Sequence, residues 1–134
     1  MAACCMKTST REWTAKAEED FRAATILSRP RKKPLWGSVC FHAQQCAEKY
    51  LKARLNEASV PMHKTHDLEV LLNSVLPIEP LWAAFRPALK RLTTAAVLPR
   101  YPGSTPTKAE AQRALKTCKA FRREARITLG LPAN

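Results

Sequence analysis

The side chains with the clearest capacity for chemistry lie in one segment, residues 41–55, which reads FHAQQCAEKYLKARL. Lys49 and Lys52 carry ammonium groups that bind phosphates, and Gln45 carries an amide that can read the edge of a base. These residue types favour a site for a nucleotide or a similar anion. The alternative interpretation is a surface group in which the two lysines pair with Glu48.

Two further residues, Arg100 and Tyr101, lie in the loop LPRYPGSTP and extend this candidate site. A guanidinium can hold a phosphate through two parallel hydrogen bonds. A tyrosine next to it offers a ring for stacking on a base, or a hydroxyl for a phosphate. The alternatives are a structural salt bridge from Arg100 to Asp20 or Glu48, and a Tyr101 that packs on the protein as part of a turn.

The amides and the histidine at the start of the segment have two interpretations each. Gln44 and Gln45 can contact a base, or they can hold two subunits together. His42 can act as a base, but a histidine on an otherwise apolar helix is more typical of a protein core or an interface. We therefore assign Asp20, His42, Gln44 and Glu48 to polar structure or to an interface, and none of them to catalysis.

Other groups of reactive side chains are weaker. His63, His66 and Asp67 share a loop, but no distant residue completes a metal site, so we predict no metal. The chain has only 3 Gly, none of them between a strand and a helix, which excludes a glycine-rich phosphate loop. We predict no cofactor, and these residue types favour a binding protein over an enzyme.

The cysteines and the apolar runs bear on the compartment. The chain has 5 Cys, without a C-x-x-C pair. Cys40 and Cys46 would stand about 9 Å apart along a helix, too far for a disulfide, which indicates buried thiols in a reducing environment. No apolar run is long enough to cross a bilayer, and the start MAACCM is unlike a secretory signal. We predict a cytoplasmic protein that does not contact the membrane.

The charge is strongly positive. Lys and Arg number 23 against 11 acidic residues, a formal net charge of +12, and the excess is concentrated at 29–34 and 116–126. Such an excess favours anionic partners, namely nucleic acid or nucleotide phosphates. The alternative is a basic surface that serves only solubility.

Helical periodicity accounts for the elements that must position these residues. Apolar residues recur at spacings of three and four, and no alternating strand pattern occurs. Helices are predicted at 9–28, 38–59, 67–76, 79–97 and 107–129. We therefore predict one all-α domain over 1–134, with its core at 9–129 and flexible tails at 1–8 and 130–134. The expected architecture is an antiparallel up-and-down bundle of about five helices, four long and one short.

Helix ends are marked by particular residues. Ser9 or Thr10 can cap the first helix, and Thr65 or Asp67 can cap the short third one. Pro87 predicts a kink or a late start in the fourth helix.

The second helix has two stripes. The first is apolar and comprises Val39, Cys40, Ala43, Ala47, Tyr50 or Leu51, and Leu55. The second comprises Phe41, Gln44 or Gln45, Glu48 and Lys52. Because buried amides need hydrogen-bond partners, the second stripe should contact another helix, another subunit or a ligand.

Four blocks of the sequence, in this order, resemble the HEPN domain family (higher eukaryote and prokaryote nucleotide-binding). They are EWTAKAEEDFRAA, FHAQQCAEKYLKARL, HDLEVLL and RYPG. The resemblance covers about residues 11–129 and implies a bundle of about five helices that usually forms a dimer. Asp20 and His66 match family positions, and His66 joins the candidate nucleotide-binding residues for that reason.

Some HEPN proteins are RNA-cleaving toxins, in which an Arg precedes a His by four to six intervening residues. None of the three histidines here has an Arg at those positions, so the motif is absent. Members with the RYP block resemble the nucleotide-binding branch, and bacterial relatives are commonly partnered with a minimal nucleotidyltransferase.

The resemblance thus implies a non-catalytic homodimer that binds an ATP-like or GTP-like nucleotide. It would act with a nucleotidyltransferase in a pair of the toxin–antitoxin type. The alternatives are an RNA-cleaving toxin with a degenerate site and a basic scaffold that binds RNA.

Overall fold

Five α-helices and one 3₁₀ turn form the computed structural model, which describes residues 6–97 and 102–134. Within those ranges no strand occurs, which confirms the predicted all-α bundle of four long helices and one short one. The helices are α1 (Thr8–Leu27), α2 (Trp36–Glu57), α3 (Leu68–Val75), α4 (Arg86–Val97) and α5 (Lys108–Thr128). The 3₁₀ turn, Pro80–Phe85, leads directly into α4.

Helix α2 is the centre of the bundle, because it packs against each of the other four helices. The apolar stripe predicted for it is buried along its whole length. Its members are Val39, Cys40, Ala43, Ala47, Tyr50, Leu51 and Leu55. The small residues in this stripe let neighbouring helices approach closely, and the large ones fill the space between them.

The chain directions follow from contacts along α2. Helix α1 is antiparallel to it, since the amide of Asn56 reaches Thr10 while His42 reaches Asp20. The segment after α2 returns along it, so that the carbonyl of His66 lies beside Gln44 and α3 begins next to the middle of α2. This return brings a loop to the same side of α2 as the predicted second stripe.

The predicted caps of α1 are wrong. The helix starts at Thr8, and no side chain caps it. The hydroxyls of Ser9 and Thr10 instead accept hydrogen bonds from the Asn56 side chain, at 2.7 and 2.9 Å. Lys7 bonds to the end of α2 through its main-chain N–H, at 3.1 Å from Glu57 Oε1. Tertiary bonds to α2 therefore replace a local cap.

The other helix ends follow from local sequence. Asp67 caps α3 by accepting from the N–H of Glu69 at 2.9 Å. Thr107 and Glu110 form a reciprocal capping box at the start of α5. Pro87 sits at the second position of α4, so the fourth helix has the late start that the proline predicted.

The ends of the chain make contacts where the structure describes them. Met6 is buried, and the carbonyl of Ala133 accepts from Arg122 Nη1 at 3.4 Å. Arg126 also donates to the carbonyl of Pro132. Among residues 6–97 and 102–134, none of the helices has the combination of length and apolar character needed to cross a membrane.

A partly buried ion-pair network joins α1, α2 and α5. Glu18 receives two hydrogen bonds from Arg122, each 2.7 Å long, in the paired geometry that guanidinium and carboxylate groups favour. The hydroxyl of Tyr50 also donates to Glu18, and Arg126 donates to that hydroxyl at 3.0 Å. Arg122 further lies 4.2 Å from the centre of the Phe21 ring.

The environment of Glu18 shifts its pKa in two directions. Burial raises the pKa, but hydrogen bonds from Arg122 and Tyr50 and the charges of both arginines bring it below its ordinary value of 4.5. Burial and the bond to Glu18 raise the pKa of Tyr50, so its hydroxyl stays protonated. A depressed carboxyl pKa stabilises the fold at neutral pH, and this contribution is lost as the pH falls through the folded-state pKa.

Replacing Glu18 by Gln should lower the free energy of unfolding by about 3 kcal/mol at neutral pH, because two guanidinium groups lose their counter-charge. Urea denaturation measures this loss. The difference from wild type should shrink as the pH falls from 4.5 through the lower folded-state pKa of Glu18, at which the carboxylate becomes neutral in the folded protein.

The matched control is Glu19→Gln, since Glu19 is the exposed neighbour. It should change stability by no more than about 0.5 kcal/mol. Equal losses in the two variants would contradict a special role for the Glu18 network.

Candidate anion-binding site

One side of α2 remains partly exposed, and we call it the α2 face. It comprises Phe41, His42, Gln45, Lys49 and Lys52, which are all half-buried. Their spacings of three and four place them on one side of the helix, and together they cover about three turns of it. The sequence nominated Gln45, Lys49 and Lys52 as ligand contacts, and the structure brings all three to this face.

Asp20 of α1 lies at one edge of the α2 face and is only 8% exposed. Its Oδ1 accepts from the Nδ1 of His42 at 2.8 Å, and its Oδ2 accepts from the ammonium of Lys49. Because a carboxylate only accepts, Nδ1 of His42 carries the proton. Lys49 is thus the cationic partner of Asp20.

Glu48, which is 3% exposed, organises the opposite edge. Its Oε2 accepts from Lys52 at 2.9 Å, and its Oε1 accepts from the Nδ1 of His66 at 3.0 Å. The ring of His66 comes from the loop that returns along α2, and its side chain is 82% exposed. This edge therefore repeats the composition of the other one, a buried carboxylate with one lysine and one histidine.

The two amides are bonded within the chain. Gln44 is buried and donates to the carbonyl of His66 at 2.7 Å, which fixes the returning loop on α2. Gln45 donates to the oxygen of Gln44 at 2.9 Å. Gln44 therefore has an internal structural role, while Gln45 stays half-buried on the face.

An aromatic ring of α1, that of Trp13, borders the α2 face. The ammonium of Lys52 lies 5.6 Å from the ring centre of Trp13, a distance typical of a cation–π contact. Trp13 is half-buried and precedes Asp20 by two helical turns. That seven-residue spacing was the signal that both residues share one side of α1.

The remaining candidate residues lie elsewhere. Arg100 and Tyr101 fall outside the residues that the structure describes. Asp67 is engaged as the cap of α3, and among residues 6–97 and 102–134 no three His, Cys, Asp or Glu side chains gather as metal ligands would.

The thiols are buried behind this site. Cys40, Cys46 and Cys118 are all free and buried, as the sequence predicted for inert cysteines. Burial raises the pKa of Cys40 to about 11. The hydrogen bond with Cys118, together with burial, raises the pKa of Cys46 well above its ordinary range. At neutral pH these two thiols are protonated, and a protonated thiol is a poor nucleophile.

A comparison with family models decides what the bundle is. The model described as "HEPN domain" matches residues 10–128, nearly the whole chain. The chain belongs to the HEPN domain family. Neither a curated protein nor a solved structure gives a significant match to it. This HEPN protein therefore has a settled family and fold, while its activity has to be argued from its own residues.

The Asp20–Lys49 pair at the α2 face should be energetically coupled. Asp20→Asn and Lys49→Met should each lower the free energy of unfolding by about 1–2 kcal/mol, since each removes a charge-assisted hydrogen bond. The double variant should lose less than the sum of the two, by about 1 kcal/mol, as measured by urea denaturation.

As a control, the same double-mutant cycle is applied to two exposed residues, Glu19 and Lys119. Their effects on the free energy of unfolding should be additive within about 0.5 kcal/mol. Additive losses at Asp20 and Lys49 would show that the pair is not formed in solution.

Proposed function

We propose that this HEPN protein is a non-catalytic homodimer that binds a nucleotide, or a similar anion, on the α2 face. It acts with a nucleotidyltransferase partner in a pair of the toxin–antitoxin type. One observation supports the proposal most: two buried carboxylates, at opposite edges of one half-buried surface, each form an ion pair with a lysine. Asp20 pairs with Lys49, and Glu48 pairs with Lys52.

The carboxylates place the ammonium groups in advance of ligand binding. Each ammonium has three N–H donors, and the bonds to Asp20 and Glu48 use one donor of each lysine. The remaining donors can bind phosphate oxygens. Since the side chains are already ordered, binding costs less rotamer entropy than it would for two free surface lysines.

The same carboxylates limit the affinity. Each of them offsets the charge of one lysine, so the face attracts phosphate less than two unpaired lysines would. His42 and His66 bond to the same carboxylates, and protonation of either ring would add a positive charge to the face. Binding should therefore be modest, and it should depend on geometry more than on charge alone.

The face also offers groups that can contact a base. Trp13 presents a partly exposed ring beside Lys52, and aromatic rings stack on bases of any sequence. Gln45 can use its amide for a base edge, which was one of the two interpretations of this residue. Neither group selects adenine over guanine by itself, so both ATP and GTP are test ligands.

The homodimer and the partner rest on membership of the family and on the α2 face. Gln44 contributes through the fold, since its amide is bonded inside the chain. Phe41 and Gln45 are the half-buried members that a second subunit can contact. The partner is proposed from the resemblance to bacterial relatives that pair with minimal nucleotidyltransferases.

Isothermal titration of the protein with ATP or GTP should give saturable binding. The double variant Lys49→Gln and Lys52→Gln should bind at least tenfold more weakly, because about 1.5 kcal/mol or more is lost with two charge-assisted contacts. The neutral amide side chains keep the face polar.

The control is Lys32→Gln, which removes one charge from an exposed loop. It should leave the affinity within about twofold, a difference of about 0.4 kcal/mol. Absence of heat at millimolar nucleotide, or equal weakening in the control, would refute binding at the α2 face.

The bond between Asp20 and His42 favours a second candidate function, cleavage of RNA. With Nδ1 protonated and held by the carboxylate, Nε2 is the ring nitrogen that can accept a proton. In such a reaction Nε2 takes the proton of a ribose 2′-hydroxyl, the 2′-oxygen attacks the adjacent phosphorus, and the 5′-oxygen leaves with a proton from water. Lys49 would offset the charge on the phosphate.

Incubation with transfer RNA and messenger RNA tests this candidate. Cleavage that is lost in His42→Ala, and in Asp20→Asn to a lesser degree, would establish it. Intact RNA in the presence of folded protein would exclude it and leave the binding function in place.

A further inference from the structure

A groove runs between α4 and α5, on the side of α5 that faces away from α1. Its volume is about 320 Å³, and its walls come from residues 88–95 of α4 and from the first half of α5. Arg122 and Arg126, further along α5, reach across to Glu18 of α1 instead. The groove is therefore separate from both the Glu18 network and the α2 face.

Three cations line the groove, namely Lys90, Arg91 and Arg113. All three are exposed, and none forms an ion pair with an acid among residues 6–97 and 102–134. On the α2 face, by contrast, both lysines are paired with carboxylates. The positive charge of the groove is thus available to a ligand.

Glu110 is the one acid among the described residues that line the groove, and it is already engaged. Its Oε1 accepts from the N–H of Thr107 at 2.9 Å in the capping box of α5. These bonds, with the charge of Arg113, lower the pKa of Glu110, so the carboxylate is ionised and serves the helix end. It offsets only part of the charge on the three cations.

The shape of the groove favours an extended anion. Ala95 and Ala114 are among the described residues that line the groove, and none of those residues is aromatic. A ligand here can approach the two helices closely without stacking on any of these side chains. The charge continues along α5 through the exposed residues Lys116, Lys119 and Arg123.

The sequence around the groove has the same excess of positive charge. After residue 85 the chain contains eleven Lys and Arg but only two acidic residues, Glu110 and Glu124. A protein surface of one sign, with exposed and unpaired cations, binds nucleic acid mainly through backbone phosphates. An acidic peptide would be held by the same charges, but peptide recognition often adds an aromatic anchor, and none of the described residues that line the groove is aromatic.

We propose that the groove between α4 and α5 binds the phosphate backbone of a single-stranded nucleic acid, without reading its sequence. This site is additional to the α2 face. It uses a different set of cations, and it requires several phosphates in a row, whereas the α2 face requires one nucleotide.

Fluorescence anisotropy with a labelled single-stranded RNA of about 12 nucleotides tests the proposal directly. The triple variant Lys90→Gln, Arg91→Gln and Arg113→Gln should bind at least tenfold more weakly at low salt. With three phosphate contacts removed, the slope of log K against log salt should fall by about 2, on the basis of about 0.7 per contact for single strands.

The charge-matched control replaces Arg29, Lys32 and Lys33 by Gln, since these three residues are exposed in the basic loop before α2. It should keep most of the affinity and of the salt slope. Equal weakening of the two triple variants would show attraction by net charge alone, and would overturn the proposal. So would undiminished binding by the groove variant, or tighter binding of a poly-glutamate peptide than of the RNA.

The two binding sites are distinguished by measuring RNA binding on the α2 face variant and ATP binding on the groove variant. The Lys49→Gln and Lys52→Gln protein should bind the RNA as wild type does, and the groove variant should bind ATP as wild type does. If RNA binding followed the α2 face variant instead, the groove proposal would fail while the nucleotide proposal would stand. Circular dichroism confirms that each variant is folded, which is expected since the replaced side chains in the groove are exposed.

Discussion

Helix α2 is buried among four other helices, and this is possible because the carboxylates that meet it are matched by cations. Asp20 forms an ion pair with Lys49, and Glu48 forms one with Lys52. Glu18 pairs with Arg122 and also accepts a hydrogen bond from Tyr50. An unmatched carboxylate at such positions would cost several kcal/mol. The rest of the bundle is arranged around these pairs, since they set how α1, α5 and the loop before α3 lie against α2.

The same pairing produces two kinds of charged surface on one small protein. Around α2 the cations are ordered, half-buried and partly neutralised, which suits a small ligand that is recognised by geometry. In the groove between α4 and α5, Lys90, Arg91 and Arg113 are exposed and without acidic partners among the described residues, which suits a flexible polyanion recognised by charge. Most of the net charge of +12 lies after residue 85, where eleven Lys and Arg stand against two acidic residues.

Much of the fold could be predicted because helical periodicity is a local signal. The apolar stripe of α2, the cap at Asp67 and the late start of α4 after Pro87 all follow from neighbouring residues. The start of α1 could not be predicted, because its polar residues bond to Asn56, more than forty positions away. Tertiary contacts of this kind override local capping preferences.

The site was predictable only in part, for a related reason. A second stripe of polar residues marked the α2 face, but its partners come from α1 and from the loop that carries His66. The bond between Glu18 and Arg122 joins residues 104 positions apart, and no spacing rule indicates it. The contact of Lys52 with Trp13 likewise depends on how α1 and α2 are packed.

Nuclear magnetic resonance of the lysine Nζ and histidine ring signals during a titration with ATP tests the central claim most directly. If the carboxylate-held cations form the binding site, the signals of Lys49, Lys52, His42 and His66 should shift saturably and together. The signals of Lys90 on α4 and of the lysines on α5 should move little at the same nucleotide concentration. Shifts confined to α4 and α5, or no saturable shift at Lys49 and Lys52, would contradict an anion site on the α2 face.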